Sequence, residues 1–193
     1  MQEGCYTGEW SLIENGPQGF GTMIYSSASS IFASYVGGWN RGQRQGYGCM
    51  RFKENPHGWL EYTGGWNEDQ LQGLGTMKYQ NGESYEGGWN IGQRHGYAVY
   101  QYRSRRGVSV EYKGCFIKDE KWEGKITGMN EDETPLEYFG RFDHDMFQDP
   151  SASVKIGSHV EPRRYEQDQW IQGGCVMVDE LDWLKGHSTY LSC

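Results

Sequence analysis

The chain has 193 residues, a net charge of −8, 29 glycines, 15% aromatic residues and only five prolines. So many aromatics exclude a disordered chain, the scarce proline excludes a collagen or low-complexity linker, and the length suits one domain or one continuous array. The negative charge speaks against nucleic acid as a partner, because that binding rests on neutralising phosphates, and against nonspecific adhesion to anionic membranes.

In chain order, the start "MQEGCYTGEW" lacks a basic region followed by an apolar run, so no signal peptide is expected. No stretch of 18 apolar residues predicts a transmembrane helix. From Tyr6 onward the sequence repeats itself. "YTGEWSLIENGPQGFGTMIY" begins at Tyr6, "YVGGWNRGQRQGYGCMRF" at Tyr35, "YTGGWNEDQLQGLGTMKY" at Tyr62 and "YEGGWNIGQRHGYAVYQY" at Tyr85. Weaker copies follow in "YKGCFIKDEKWEGKI" from Tyr112 and "YFGRFDHDMF" from Tyr138.

Each unit predicts a β-hairpin. In Tyr35-x-Gly37-x-Trp39 the period of two places all three residues on one face of a strand. "NRGQRQ" turns the chain, with Gly42 available for a positive φ. Gly46, Gly48, Met50 and Phe52 then share one face of the returning strand. A lone hairpin is only marginally stable, so the units are expected to stack, each supplying its neighbour's missing partner. A single-layer sheet has no second layer to cover its aromatics, which must therefore lie flat, and a ring can lie down only beside a residue without a side chain. The predicted fold is all-β: an elongated single-layer antiparallel sheet of stacked hairpins, a rod or curved trough.

The units resemble the MORN (membrane occupation and recognition nexus) repeat, whose pattern runs Tyr-x-Gly-x-Trp, a polar turn with glycine, Gly-x-Gly and a closing aromatic. The match is specific over residues 6–102 and degenerate to about residue 145. Asp69 stands where a turn glycine is usual, Ala98 replaces a glycine and Phe116 replaces a tryptophan. The resemblance implies an elongated twisted sheet without catalytic activity, acting as a scaffold, with the groove as docking surface.

Two sets of residues are candidates for binding. The repeated aromatic face carries Tyr6, Trp10, Tyr35, Trp39, Tyr62, Trp66, Tyr85, Trp89, Tyr112 and Phe116. These residues read as the core and, where the single layer stays open, as an aromatic trough for a peptide or helix. The connectors "SSASSIFAS", "KENPHGWLE" and "RSRRGVSVE" are longer than "QNGES" and bring Phe32, Trp59, Arg103, Arg105 and Arg106. Loops that vary on a regular scaffold suit specificity, and the arginines suit phosphoinositide or phosphorylated peptide. The plainer reading is that the connectors prolong the hairpins and the arginines are solvated.

His57, His95, His144, His159 and His187 are scattered, and "FDHDMFQD" makes at best a weak metal or hydrolase site. No nucleotide-binding or nucleophile motif is present, so the chain is expected to be no enzyme and to need no cofactor or metal. Five widely spaced cysteines without a CxxC pair predict reduced thiols. Residues 1–128 read as the array, four clear units plus one degenerate. Residues 129–193 read as a degenerate repeat and an acidic tail, with a short helix expected over 176–185 that caps the array or docks elsewhere. The expected function is a noncatalytic protein-interaction scaffold, cytoplasmic, in a ciliary, axonemal or cytoskeletal assembly. The alternatives are a tether for anionic phospholipid and a regulatory module of a larger enzyme. The expected partner is a protein in the trough or a neighbouring subunit, with a homodimer through the open sheet edges as a further arrangement.

Overall fold

The computed structural model describes residues 4–104, 107–129, 134–143, 146–147, 153–156 and 159–162. The expected helix over 176–185 lies outside them. The first hairpin joins β1 (Gly4–Ser11) to β2 (Gly16–Tyr25), and the second joins β3 (Phe32–Asn40) to β4 (Gln43–Phe52). The series continues with β5 (Trp59–Asn67) and β6 (Gln70–Tyr79), β7 (Ser84–Asn90) and β8 (Gln93–Arg103), then β9 (Ser109–Ile117) and β10 (Glu120–Met129). Beyond them lie β11 (Pro135–Asp143), β12 (Met146–Phe147), β13 (Ser153–Ile156) and β14 (His159–Pro162). The strands pair in sequence order from β1 to β11, then β13 and β14, with β12 attached to β11, as one open antiparallel sheet. Among the described residues there is no helix. The eleven consecutive strands span about 50 Å at about 4.8 Å each. The ladder runs through β10 into β11 across residue 128 without a break.

Two backbone devices shape each hairpin. The turn Arg41–Gly42 has φ of 50° and 77°, the left-handed pair that a two-residue hairpin turn needs. A bulge then interrupts the register between Gly37 and Trp39, and Gly46 on the facing strand sits at φ 77°. Equivalent shifts fall between Gly8 and Trp10, Gly64 and Trp66, and Gly87 and Trp89. A bulge bends its strand and adds twist. The bend is large enough that the Arg44 guanidinium, from the turn end of β4, lies 5.0 Å from the ring centroid of Phe32 at the opposite end of β3. The sheet therefore curls around its aromatic face.

The extra connector residues mostly lengthen strands: β3 begins at Phe32, β5 at Trp59 and β9 at Ser109. One expectation fails on the outer face, the face opposite the tyrosines. Cys49 and Cys115 there each take part in a disulfide and are not reduced, while Cys5 is free and exposed.

Candidate functional site

The aromatic face is a ladder of edge-to-face rings. Tyr35 packs on Trp39 at 5.1 Å and on Trp66 at 5.4 Å. Tyr62 packs on Trp66 at 5.3 Å and on Trp89 at 5.5 Å, and Tyr85 on Trp89 at 5.0 Å and on Phe116 at 5.3 Å. The series runs from Tyr6 to Tyr112, Tyr138 and Phe142. Such ring geometry follows from the aromatic quadrupole and adds to the area each ring removes from water.

Both polar tips are used. The phenols of Tyr35, Tyr62 and Tyr85 donate to the carbonyls of Gly38, Gly65 and Gly88, three residues ahead in each case. The indole Nε1 of Trp39, Trp66 and Trp89 donates at 3.3 Å to the carbonyls of Gly21, Gly48 and Gly75 in the preceding hairpin. The glycines make room for the rings: a Cβ on Gly48 would lie 2.5 Å from Cζ of Tyr35, and one on Gly75 equally close to Tyr62. Burial pushes the phenols of Tyr35, Tyr62 and Tyr85 well above the ordinary tyrosine range.

A trough left partly open at these positions is therefore corrected. Tyr35, Tyr62, Tyr85 and Tyr112 are 0% exposed, and Trp39, Trp66, Trp89 and Phe116 are buried with them. The curled strands bring the rings together until they fill the concavity. Only Tyr6, half-buried, and Trp10, exposed, remain accessible in this row.

Arginines close the concave side. Arg44 is buried and donates through Nε to the carboxylate of Asp69 at 2.7 Å and through Nη2 to the Asp69 carbonyl. Its guanidinium carbon lies 4.6 Å from the Trp66 centroid, whereas Nη1 is buried without a hydrogen-bond partner among the described residues. Arg94 repeats the arrangement with Asp119, over Phe116 at 4.8 Å. Sequence reasoning missed these clamps. Their signal was the alternation of Gly42 and Arg44 with Asp69 and Leu71, then of Gly92 and Arg94 with Asp119 and Lys121.

Of the connector candidates, Phe32 is half-buried between Tyr25 and Phe52, and Trp59 stacks on His57 at 4.5 Å. Arg103 is exposed and donates to the Gly107 carbonyl, and Arg105 and Arg106 lie outside the described residues. The outer face shows a row that sequence reasoning saw only as mixed. Phe20, Tyr47 and Leu74 occupy the same register opposite Gly38, Gly65 and Gly88 and are 41–53% exposed. Beside this row Glu61 bridges Arg51 and Lys78. Partial burial alone would raise its pKa, but the hydrogen bonds and charges of Lys78 and Arg51 outweigh that and hold the carboxyl below its usual range.

A family model for the MORN repeat matches residues 35–55, 62–84 and 85–105. No curated protein matches the chain. The three matched segments coincide with the hairpins β3–β4, β5–β6 and β7–β8, and the same ring ladder extends on both sides of them. Residues 35–105 of the chain are therefore MORN repeats.

Proposed function

We propose that the chain is a noncatalytic protein-interaction scaffold, a component of a ciliary or cytoskeletal assembly. The exposed outer row of Phe20, Tyr47 and Leu74 carries this reading. The inner aromatics are consumed in holding the sheet together, whereas the outer row keeps about half of each side chain exposed and repeats every two strands, about 10 Å. Regularly spaced apolar side chains on a rigid surface suit an elongated partner.

The test is crosslinking mass spectrometry in native extract of ciliated cells, comparing wild type with Tyr47→Lys and Leu74→Lys. These exposed substitutions should leave the fold intact and remove the crosslinks that map to β4 and β6. Wild type without any protein crosslink on the outer face would end this reading. Flotation with phosphatidylserine vesicles tests the tether alternative through Arg103.

A further inference from the structure

The joint between successive hairpins is built three times from the same parts. Trp39, Trp66 and Trp89 lie opposite Gly19, Gly46 and Gly73, glycines whose φ lies between 67° and 77°. Two residues on, Gly37, Gly64 and Gly87 face Gly21, Gly48 and Gly75, whose carbonyls accept the indole N–H. Two further on, Tyr35, Tyr62 and Tyr85 face Met23, Met50 and Met77. Each joint therefore reads as Tyr-x-Gly-x-Trp on one strand against Gly-x-Gly-x-Met running antiparallel on the other.

β1 carries half of such a joint. Its Tyr6, Gly8 and Trp10 match Tyr35, Gly37 and Trp39, yet β1 pairs only with β2 among the described strands. Trp10 is 50% exposed, touches one ring, that of Tyr6, and its Nε1 has no acceptor among the described residues. The adjoining turn displays Leu12 and Ile13 at 90% and 95% exposure. A cleft of about 670 Å³ opens here, lined by Tyr6, Trp10, Pro17, Met23, Trp39 and Arg41 among others.

We infer that β1 is an acceptor edge for a strand of the pattern Gly-x-Gly-x-Met donated by a partner protein. The strand adds antiparallel to β1 with its glycines opposite Trp10 and Gly8 and its methionine opposite Tyr6. The first glycine supplies the positive φ that every joint shows at this place, and the second offers its carbonyl to the Trp10 indole. Continuity with the three joints inside the sheet fixes this chemistry. A second copy is a poor occupant through β1 itself: pairing Gly8 with its symmetry mate sets Trp10 against Tyr6, where these three joints set tryptophan against glycine.

The experiment titrates a lysine-flanked peptide with the sequence of Gln70–Tyr79, which carries Gly73, Gly75 and Met77, into the full chain. Indole fluorescence and amide hydrogen exchange of residues 4–11 report binding. Expected are saturable binding, slowed exchange in β1, and at least tenfold weakening by Trp10→Ala or by alanine at either peptide glycine. Trp10→Phe, which keeps a ring and loses the donor, controls for misfolding and should weaken binding less. Absence of saturable binding to wild type, or binding indifferent to Trp10→Ala, overturns the inference. Protection of β1 that rises with protein concentration in the absence of peptide also overturns it, because a second copy would then hold the edge. Tyr47→Lys should leave peptide affinity unchanged, so this inference and the outer-face reading fail separately.

Discussion

At the residue scale, the relation between ring and glycine is reciprocal, and the molecule contains its own variation on it. Gly48 and Gly75 precede Trp66 and Trp89, whereas Ala98, at the equivalent place and fully buried, precedes the smaller Phe116. Tyr85, the ring beside Ala98, packs on Phe116 where Tyr35 and Tyr62 pack on the larger Trp66 and Trp89. Gly75→Ala is therefore expected to cost about 1–3 kcal/mol by overpacking against Tyr62. Combined with Trp89→Phe it should cost less than the sum of the two single changes, by about 0.5 kcal/mol or more. Urea unfolding of the four proteins measures this coupling. Strict additivity would mean that the Ala98–Phe116 pairing has no steric basis.

At the scale of the element, the hairpin turns are tied to one another as well as to their own strands. The Gln18, Gln45 and Gln72 amides accept from the backbone N–H of Arg41, Glu68 and Ile91 in the next turn. Asp69 goes further. It adopts φ 68°, an uncommon angle for a side-chain-bearing residue, and in return holds the buried Arg44. Asp69→Gly would relax the backbone but strand the guanidinium, and it should lower stability by about 2–4 kcal/mol, less than for a fully buried pair because Asp69 is partly exposed. Arg44→Met added to Asp69→Gly should recover most of that loss, since a buried pair replaced by apolar volume is often neutral. Thermal unfolding of both variants decides it: a stabilised Asp69→Gly would mean the clamp contributes nothing. The hairpins themselves were legible in the sequence, because the period of two in Tyr35-x-Gly37-x-Trp39 and the glycine at 42 state strand and turn directly. The clamp was not legible. Asp69 reads as a departure until the fold sets its carboxylate beside an arginine 25 residues away.

At the scale of the whole molecule, the ring ladder places a column of phenols in one water-poor row. Burial raises Tyr35, Tyr62 and Tyr85, and for Tyr100 burial acts together with its hydrogen bond to Glu83. A folded-state pKa above the unfolded value of about 10 means that the associated stability is complete below that pH and is lost as pH rises beyond it. The chain should hold its structure up to about pH 10 and then unfold. Phenolate absorbance of the buried set should appear together with loss of the β circular-dichroism signal. Phenolate appearing well before that loss would show that the rings are wetter than the geometry implies. The filled concavity also explains what the sequence could not convey about the candidate site. Trp10 and Trp39 sit in near-identical units, yet one is exposed and the other buried, since each tryptophan's cover comes from a neighbouring hairpin.

The strands lie across the long axis, so the length of the sheet is spanned chiefly by interstrand hydrogen bonds, strand after strand from β1 to β11. Tension applied to the two ends meets those bonds head-on and one ladder at a time, as in peeling a zip. A load spread over the broad outer surface meets many ladders in parallel. Such a body yields tooth by tooth when stretched and stays stiff when pressed from the side, which favours a spacer held along its flank over a tether pulled at its tips.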